Sequence, residues 1–442
     1  MCSGPIVGRM LLFTGPLVLS SILQLLFNAA DVVVVGKYAG DNSLAAVGSV
    51  GPLINLFVAF FMGLSIGSNV LASRAYGSRN DLQMTRTVHT SMLVSLISGI
   101  ILAFAGFIFT GQILVWMRSP QETLPLATLY LKIYFLGMPA SMVYNFGSAI
   151  LRAVGDTRRP MYFLTIAGVI NVILNLVFVI SLKMDVAGVA TATVISQVIS
   201  AVLVVICMMR ESGSLRLDIR NLRIDADILI KIIRIGLPAS FQGMLFSISN
   251  VIIQSSVNSF GATVVAGNSA AQNIEGFVYM SMNAFYQACI SFVSANVGAR
   301  TYDRINKILL RAEACVIVTG MILGGYAFLD AHRLVSLYTN SEAVIAVGRV
   351  RLMYVSLPYF LCGMMDVMVG ALRGLGYAIL PMVVSLIGAC GLRLLWIFTL
   401  FQTPQFHEPR FLYITYPVSW AVTFLIHVLC YITVKRKFDR SH

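Results

Sequence analysis

Residues 150–160 read Ile-Leu-Arg-Ala-Val-Gly-Asp-Thr-Arg-Arg-Pro, and residues 371–381 read Ala-Leu-Arg-Gly-Leu-Gly-Tyr-Ala-Ile-Leu-Pro. In both, a Leu-Arg pair is followed by Gly three residues after the Arg and by Pro five residues after that Gly. The same offset relates Gly77 to Gly298 and Asn145 to Asp366, and within two residues it relates Pro16 to Pro238 and Pro139 to Pro358. One such match means little, but an ordered series at a nearly constant offset is the mark of an internal repeat. The offset is half of the 442-residue chain, so the chain is read as two similar halves.

Between these markers the sequence is strongly apolar. Apolar residues make up 58% and charged residues 11%, where a soluble domain carries roughly 25% charged residues. Most of the surface therefore faces lipid, in which backbone groups must be satisfied within the protein. The apolar runs fall at 12–35, 51–72, 91–116, 125–150, 161–182 and 186–209, then at 235–259, 265–295, 312–336, 350–372, 380–401 and 414–434. Each is long enough for a membrane-crossing helix and none alternates polar with apolar, which favours helices over a β-barrel. The first run contains polar residues and is read as helix 1, not as a cleavable signal. The expected fold is an all-α integral membrane protein with twelve transmembrane helices in two pseudo-symmetric six-helix lobes. The N-lobe spans 1–209 (helices 1–6), a cytoplasmic linker 210–234 and the C-lobe 235–442 (helices 7–12). Six is even, so both halves start on the same side, the parallel repeat used by secondary transporters.

The net charge of +13 would suggest nucleic acid in a soluble protein, but here the basic residues lie between the apolar runs. Of the 31 Lys and Arg residues, 22 fall on the side of the N-terminus, 8 on the other side and one, Arg393, within a run. The minority side holds Lys37, Arg118, Lys132, Lys183, Arg333, Arg349, Arg351 and Arg410. By the positive-inside rule both termini are cytoplasmic, in a bacterial plasma (inner) membrane, with lipid and not nucleic acid as the surrounding partner. The seven cysteines form no Cys-x-x-Cys pair and read as small buried thiols. There is no Walker A sequence and no metal spacing among the five histidines, so neither an enzyme nor a cofactor is expected.

Polar residues inside the runs carry the functional signal. Asp31, Glu275 and Asp366 each cost roughly 2.5–3.5 kcal/mol at the bilayer centre, and such residues mark ion or substrate paths. On helix 1, Gln24, Asn28 and Asp31 share one face. Helix 5 carries Asn171 and Asn175 one turn apart, and helix 6 carries Thr191 and Thr193. An acid, two carboxamides and a hydroxyl suit either an oxygen cage for a small cation or a hydrogen-bonded carboxyl that takes up protons. The bland alternative is helix-to-helix hydrogen bonding. In the second half, helix 7 offers Asn250 and Gln254, and helix 8 offers Glu275, Tyr279 and Asn283. Met280 and Met364 belong to a Met-rich, aromatic set suited to variable apolar ligands. Gln24, Asn28, Asn250, Gln254, Tyr279, Met280, Asn283 and Met364 are the candidate cavity residues, and Arg393 is expected to pair with Glu275 or Asp366. Gly63/Gly67 and Gly320/Gly324 are expected to mark close helix packing.

Several stretches resemble one known family. They are Asn-Ala-Ala-Asp31 with Val-Gly36-Lys-Tyr-Ala-Gly40, the Leu151-Arg152 to Pro160 loop, Asn171-x3-Asn175, and the recurrence at Leu372-Arg373-Gly374-Leu-Gly376. Together they look like the multidrug and toxic compound extrusion (MATE) family, and the resemblance runs along essentially the whole chain. It implies a V-shaped pair of six-helix lobes around a central cavity. It also implies a monomer that exports small organic, often cationic, compounds in exchange for H⁺ or Na⁺. It further implies an N-lobe cation site, with Na⁺ as one candidate ion, at Asp31, Asn171, Asn175 and Thr193. C-lobe coupling would fall to Glu275 or Asp366, since helix 7 has no acid. Asn175 stands where many prokaryotic members carry Asp, which removes a negative charge and favours a proton centred on Asp31. The alternative function is a lipid-linked precursor flippase of a related superfamily, against which stands the single deep cation, Arg393.

Overall fold

The computed structural model describes residues 1–116 and 121–441. The one basic residue assigned to a side above that lies outside the described residues is Arg118. The described residues hold helices and connecting turns and no strand. Helices 1 to 3 are Ile6–Tyr38, Asp41–Gly77 and Asp81–Trp116. Helix 4 is a pair, Leu124–Leu136 and Met138–Ala153, bent by 47°. Helix 5 is Arg158–Leu176, continued by a wider π turn at Val177–Ser181, and helix 6 is Asp185–Arg210. Helices 7 to 9 are Ala226–Asn258, Ala262–Gly298 and Tyr302–Leu329. Helix 10 joins Glu342–Val355 to Phe360–Gly374. Helix 11 joins Ile379–Ser385, a π segment Leu386–Gly391 and Leu392–Phe398, and helix 12 is Pro409–Ser441. Ten of these are long and apolar enough to cross a membrane and the bent pair makes eleven. The twelfth is helix 8, whose apolar character is diluted by Asn268, Gln272, Glu275, Asn283 and Gln287.

The repeat is written in the backbone as well as in the sequence. Gly155 and Gly376 have φ of 95° and 98°, a left-handed conformation that costs a side chain about 1–2 kcal/mol. Each closes its helix in the same way. The Asp156 N–H bonds back to Leu151 O at 3.0 Å and the Tyr377 N–H to Leu372 O at 2.9 Å, the long reverse bond of a Schellman cap. Thus the glycine of the repeated Leu-Arg-x-x-Gly unit is the residue that stops helices 4 and 10. Arg79 and Arg300, at the same offset, also have positive φ, 52° and 56°, and end helices 2 and 8. The repeated prolines have a visible effect too. Pro139 stands just after the bend of helix 4, and Pro358 stands in the 3-10 turn that interrupts helix 10, because proline removes an i to i−4 bond. Gly155→Ala and Gly376→Ala are each expected to lower stability by about 1–2 kcal/mol, read as a lower unfolding temperature in detergent.

The chain folds as two compact units, Leu19–Leu237 and Met1–Val18 with Pro238–His442. The sequence halves describe the repeat, and the packing units exchange the leading segments of its first helices. The changes of unit fall inside helix 1, just after Pro16, and inside helix 7, at Pro238. Met10, Phe13 and Leu17 of helix 1 join the core built by helices 8, 9, 10 and 12, with Phe13 edge-on to Phe292 at 5.6 Å. Ile228 and Ile232 of helix 7 pack with Leu71 of helix 2. A Cβ on Gly67 would meet Ile232 O at 2.3 Å, and one on Gly324 would meet Ser356 O at 2.2 Å, so these glycines do set close helix approaches.

The segment after helix 6 is fastened to helix 3. Thr85 donates to Ser214 O at 3.3 Å, and the Asp218 N–H donates to His89 Nε2 at 3.1 Å. The Asp225 N–H donates to Thr90 Oγ1 at 3.0 Å, and Arg86 pairs with Asp225 at 3.5 Å. Since His89 Nε2 accepts, Nδ1 carries the proton and donates to Thr85 O at 2.8 Å. Leu217 completes the attachment by entering the core of Met84, Val88 and Met208.

Candidate functional site

In the unit Leu19–Leu237, helix 5 places Asn171 and Asn175 one turn apart on a buried face, because residues four apart stack along a helix. The Asn175 amide donates to Asp31 of helix 1 and, at 3.3 Å, to Asn171 Oδ1. The Asn171 amide donates to Thr193 Oγ1 of helix 6 at 3.5 Å. Thr193 gives its own proton to Val189 O at 3.0 Å, which leaves its lone pairs facing Asn171. The four residues expected from the sequence therefore form one continuous hydrogen-bonded chain ending on the Asp31 carboxylate. Asn175 is fully buried, and its Oδ1 has no hydrogen-bond partner.

The donor set is one carboxylate, two amides and a hydroxyl. An unpartnered buried amide oxygen beside a carboxylate suits a small cation. In this arrangement, however, the amide nitrogen and not the oxygen faces Asp31, so the carboxylate is already satisfied by an N–H. Coordination of Na⁺ requires the amide to turn, whereas a proton on Asp31 requires no change of partner. Among the described residues no group of three or more His, Cys, Asp or Glu side chains could hold a metal. Tyr130 of helix 4 also lies in the field of Asp31 and stacks on Tyr134 at 6.3 Å. Sequence reasoning missed this pair, although Tyr-x3-Tyr in an otherwise apolar run was a readable signal. Gln24 and Asn28 are exposed on helix 1 and take no part in the chain of bonds.

The other unit separates the acids that the sequence grouped together. Glu275 of helix 8 is bound by Arg351 of helix 10, Nε to Oε1 at 2.9 Å and Nη2 to Oε2 at 2.7 Å. Both are buried, at 4% and 2% exposure. Arg351 also donates to Asn268 at 2.7 Å, and Asn268 to Gln254 at 3.1 Å, while its guanidinium lies over Tyr413 and Tyr416. This corrects two sequence expectations. Arg351 is not a surface charge, since helix 10 begins at Glu342 and carries it into the protein. Arg393 pairs with neither Glu275 nor Asp366. It donates to Ser419 at 2.8 Å and stacks on Tyr416 and Trp420, because Arg351 already holds both oxygens of Glu275. Arg373 is likewise buried, donating to Tyr286 and, at 2.9 Å, to Gln242.

Asp366 of helix 10 is half-buried and has a different environment. It lies in the fields of Arg373 and of the Tyr279 hydroxyl. Asn283 donates to Tyr279 at 3.4 Å, and Gln287 donates to Asn283 at 3.1 Å. Tyr279, Asn283 and Gln287 recur every four residues, so one face of helix 8 carries a ladder of amide donors that ends at the Tyr279 hydroxyl. Met280 of helix 8 and Met364 of helix 10 are half-buried, and Asn250 is exposed on helix 7. A further acid went unread in the sequence. Glu313 of helix 9 is 9% exposed, and neither carboxylate oxygen has a hydrogen-bond partner. It stands at the edge of an apolar run, where an acid reads as a flanking charge.

The sequence model of the MatE family matches residues 16–177 and 238–399, one match in each half. A probable multidrug resistance protein of Bacillus subtilis, YoeA, is 28% identical over 96% of this chain and 93% of its own length. The probable multidrug resistance protein NorM of Thermotoga maritima is 23% identical over 85% and 81%. The multidrug export protein MepA of Staphylococcus saprophyticus is 20% identical over 83% and 81%. Among solved structures, an outward-facing multidrug resistance MATE transporter of the MOP superfamily superposes with a TM-score of 0.90 at 22% identity, covering 98% of this chain and 97% of that one. A crystal structure of MATE in the straight conformation gives 0.90 at 21% identity, over 99% and 98%. The fold is thus that of known MATE transporters, and with both halves matched by the family model the chain belongs to the MatE family of multi-pass membrane transporters.

Proposed function

We propose that this protein exports small organic, often cationic, compounds by exchange with H⁺, in preference to Na⁺. The observation that carries this reading is Asp31. It is a carboxylate inside a membrane helix whose hydrogen-bond donor is a neutral amide, Asn175, and which has no basic partner among the described residues. Such a group is expensive in the membrane and free to exchange its counter-charge. A proton and an organic cation competing for one carboxylate give exchange a physical basis. Each biases the protein only so far as it binds the alternating states differently. Asp366 is a second candidate acid, with the difference that the field of the buried Arg373 reaches it. Glu275 is neutralised by Arg351 and is assigned a structural role. The relatives named for multidrug resistance and export support the substrate class. With the buried Arg351 and Arg373 set aside, the remaining 21 to 7 division of basic residues supports cytoplasmic termini in a bacterial plasma membrane.

Purified protein in liposomes, loaded with a fluorescent organic cation, tests the proposal. A pH gradient alone should drive accumulation and a Na⁺ gradient alone should not. Transport driven equally by Na⁺ at uniform pH would reassign the ion, and lipid scrambling without cation transport would favour the flippase reading.

A further inference from the structure

The unit formed by Pro238–His442 and the first helix segment contains a buried positive charge, Arg393, that has no ion-pair partner among the described residues. Arg393 is 3% exposed. Its Nε donates to Ser419, its Cζ lies 4.4 Å from the Tyr416 ring centre and 5.5 Å from that of Trp420, and its Nη2 has no hydrogen-bond partner. The carboxylate that could have balanced it, Glu275, is held at both oxygens by Arg351. Two more donors of the same aromatic cluster are also unpartnered, Trp396 Nε1 and Tyr413 Oη. Arg393 and Trp396 are three apart on helix 11, and Tyr413, Tyr416 and Trp420 follow at i, i+3 and i+7 on helix 12, so each set shares one helix face.

Guanidinium and indole nitrogens can only donate, so these groups call for an acceptor. Stacking on Tyr416 and Trp420 attracts the guanidinium through the ring faces but offers its Nη2 nothing to bond. A water molecule would accept the hydrogen bonds and still leave the charge uncompensated, whereas buried charges are as a rule paired. We propose that this unit binds an anionic group, a halide or a carboxylate, against Arg393, with Trp396 and Tyr413 as further donors. Cys362 of helix 10 lies in the fields of both Arg393 and Asp366. Cys362 shares the buried cluster of Tyr416 and Trp420, and Asp366 follows it one turn later on helix 10, so a compound bearing both an amine and a carboxylate has the charges to meet both.

The binding test uses the full chain in detergent and does not depend on the transport reading. Two of the three tryptophans, Trp396 and Trp420, report on the site. Titration with iodide at constant ionic strength in methanesulfonate should show a saturable quenching component above the linear collisional one. Arg393→Gln should abolish the saturable component and leave the linear one. Tyr413→Phe, which keeps the guanidinium and the ring, should weaken iodide binding by about tenfold, the loss expected for one hydrogen bond to a charged group. Displacement of iodide by benzoate would assign the site to carboxylates, and persistence of iodide binding in benzoate would assign it to halides. Purely linear quenching of the wild type, or saturable quenching unchanged in both variants, would overturn the proposal.

Discussion

Replacing Asp31 by Asn is expected to abolish gradient-driven efflux. In vesicles carrying a fluorescent organic cation and an imposed pH gradient, transport should fall by at least about tenfold, since each tenfold change in coupling corresponds to roughly 1.4 kcal/mol and the substitution removes the whole charge. The fold should survive. Asn keeps the size of the side chain, and its amide oxygen can still accept from Asn175, so protein level and unfolding temperature should stay near those of the wild type. Transport that persists at the wild-type rate would remove Asp31 from the coupling mechanism. Asn175→Ala should have a smaller effect on rate than Asp31→Asn, because it removes a positioning donor and leaves the charge in place.

Arg351→Leu is expected to produce the largest loss of stability. Arg351 and Glu275 are both almost completely buried and joined by two hydrogen bonds. Removing one member of such a pair strands the other and costs about 3–5 kcal/mol. The double substitution Arg351→Leu with Glu275→Leu should recover much of that loss, because two apolar side chains need no counter-charge. The four unfolding temperatures of this cycle give the coupling directly. If Arg351→Leu alone is as stable as the wild type, Glu275 is not held by Arg351 and regains its place among the exchange acids.

Much of the fold could be read from the sequence because its two halves repeat the residues with the strictest backbone demands. Gly155 and Gly376 are legible because a helix stop at φ near 95° admits little else. Pro139 and Pro358 are legible only as a matched pair, since Pro16, Pro52, Pro238 and Pro417 lie inside unbroken helices. The Asp31 cluster was legible for a related reason. A polar side chain in an apolar run is rare, and Asn171 and Asn175 lie at the spacing that stacks them. The interior of the other unit was less legible. Arg351 sits near the edge of its apolar run, where a basic residue reads as a topology signal, and its partner lies 76 residues earlier. Arg373 was hidden in the same way, by standing in the motif that ends helix 10. Periodicity within one helix says which face a residue occupies and nothing about which of two arginines reaches a given acid.

Proton release on substrate binding tests the central claim most directly. Weakly buffered protein in detergent is mixed with the organic cation while the pH is followed with an indicator dye. If the cation displaces a proton from Asp31, binding should release protons in the wild type and release should be lost in Asp31→Asn, with Na⁺ at constant ionic strength having no effect on either. Substrate binding without proton release, or release that is unchanged in Asp31→Asn, would contradict proton exchange at this carboxylate.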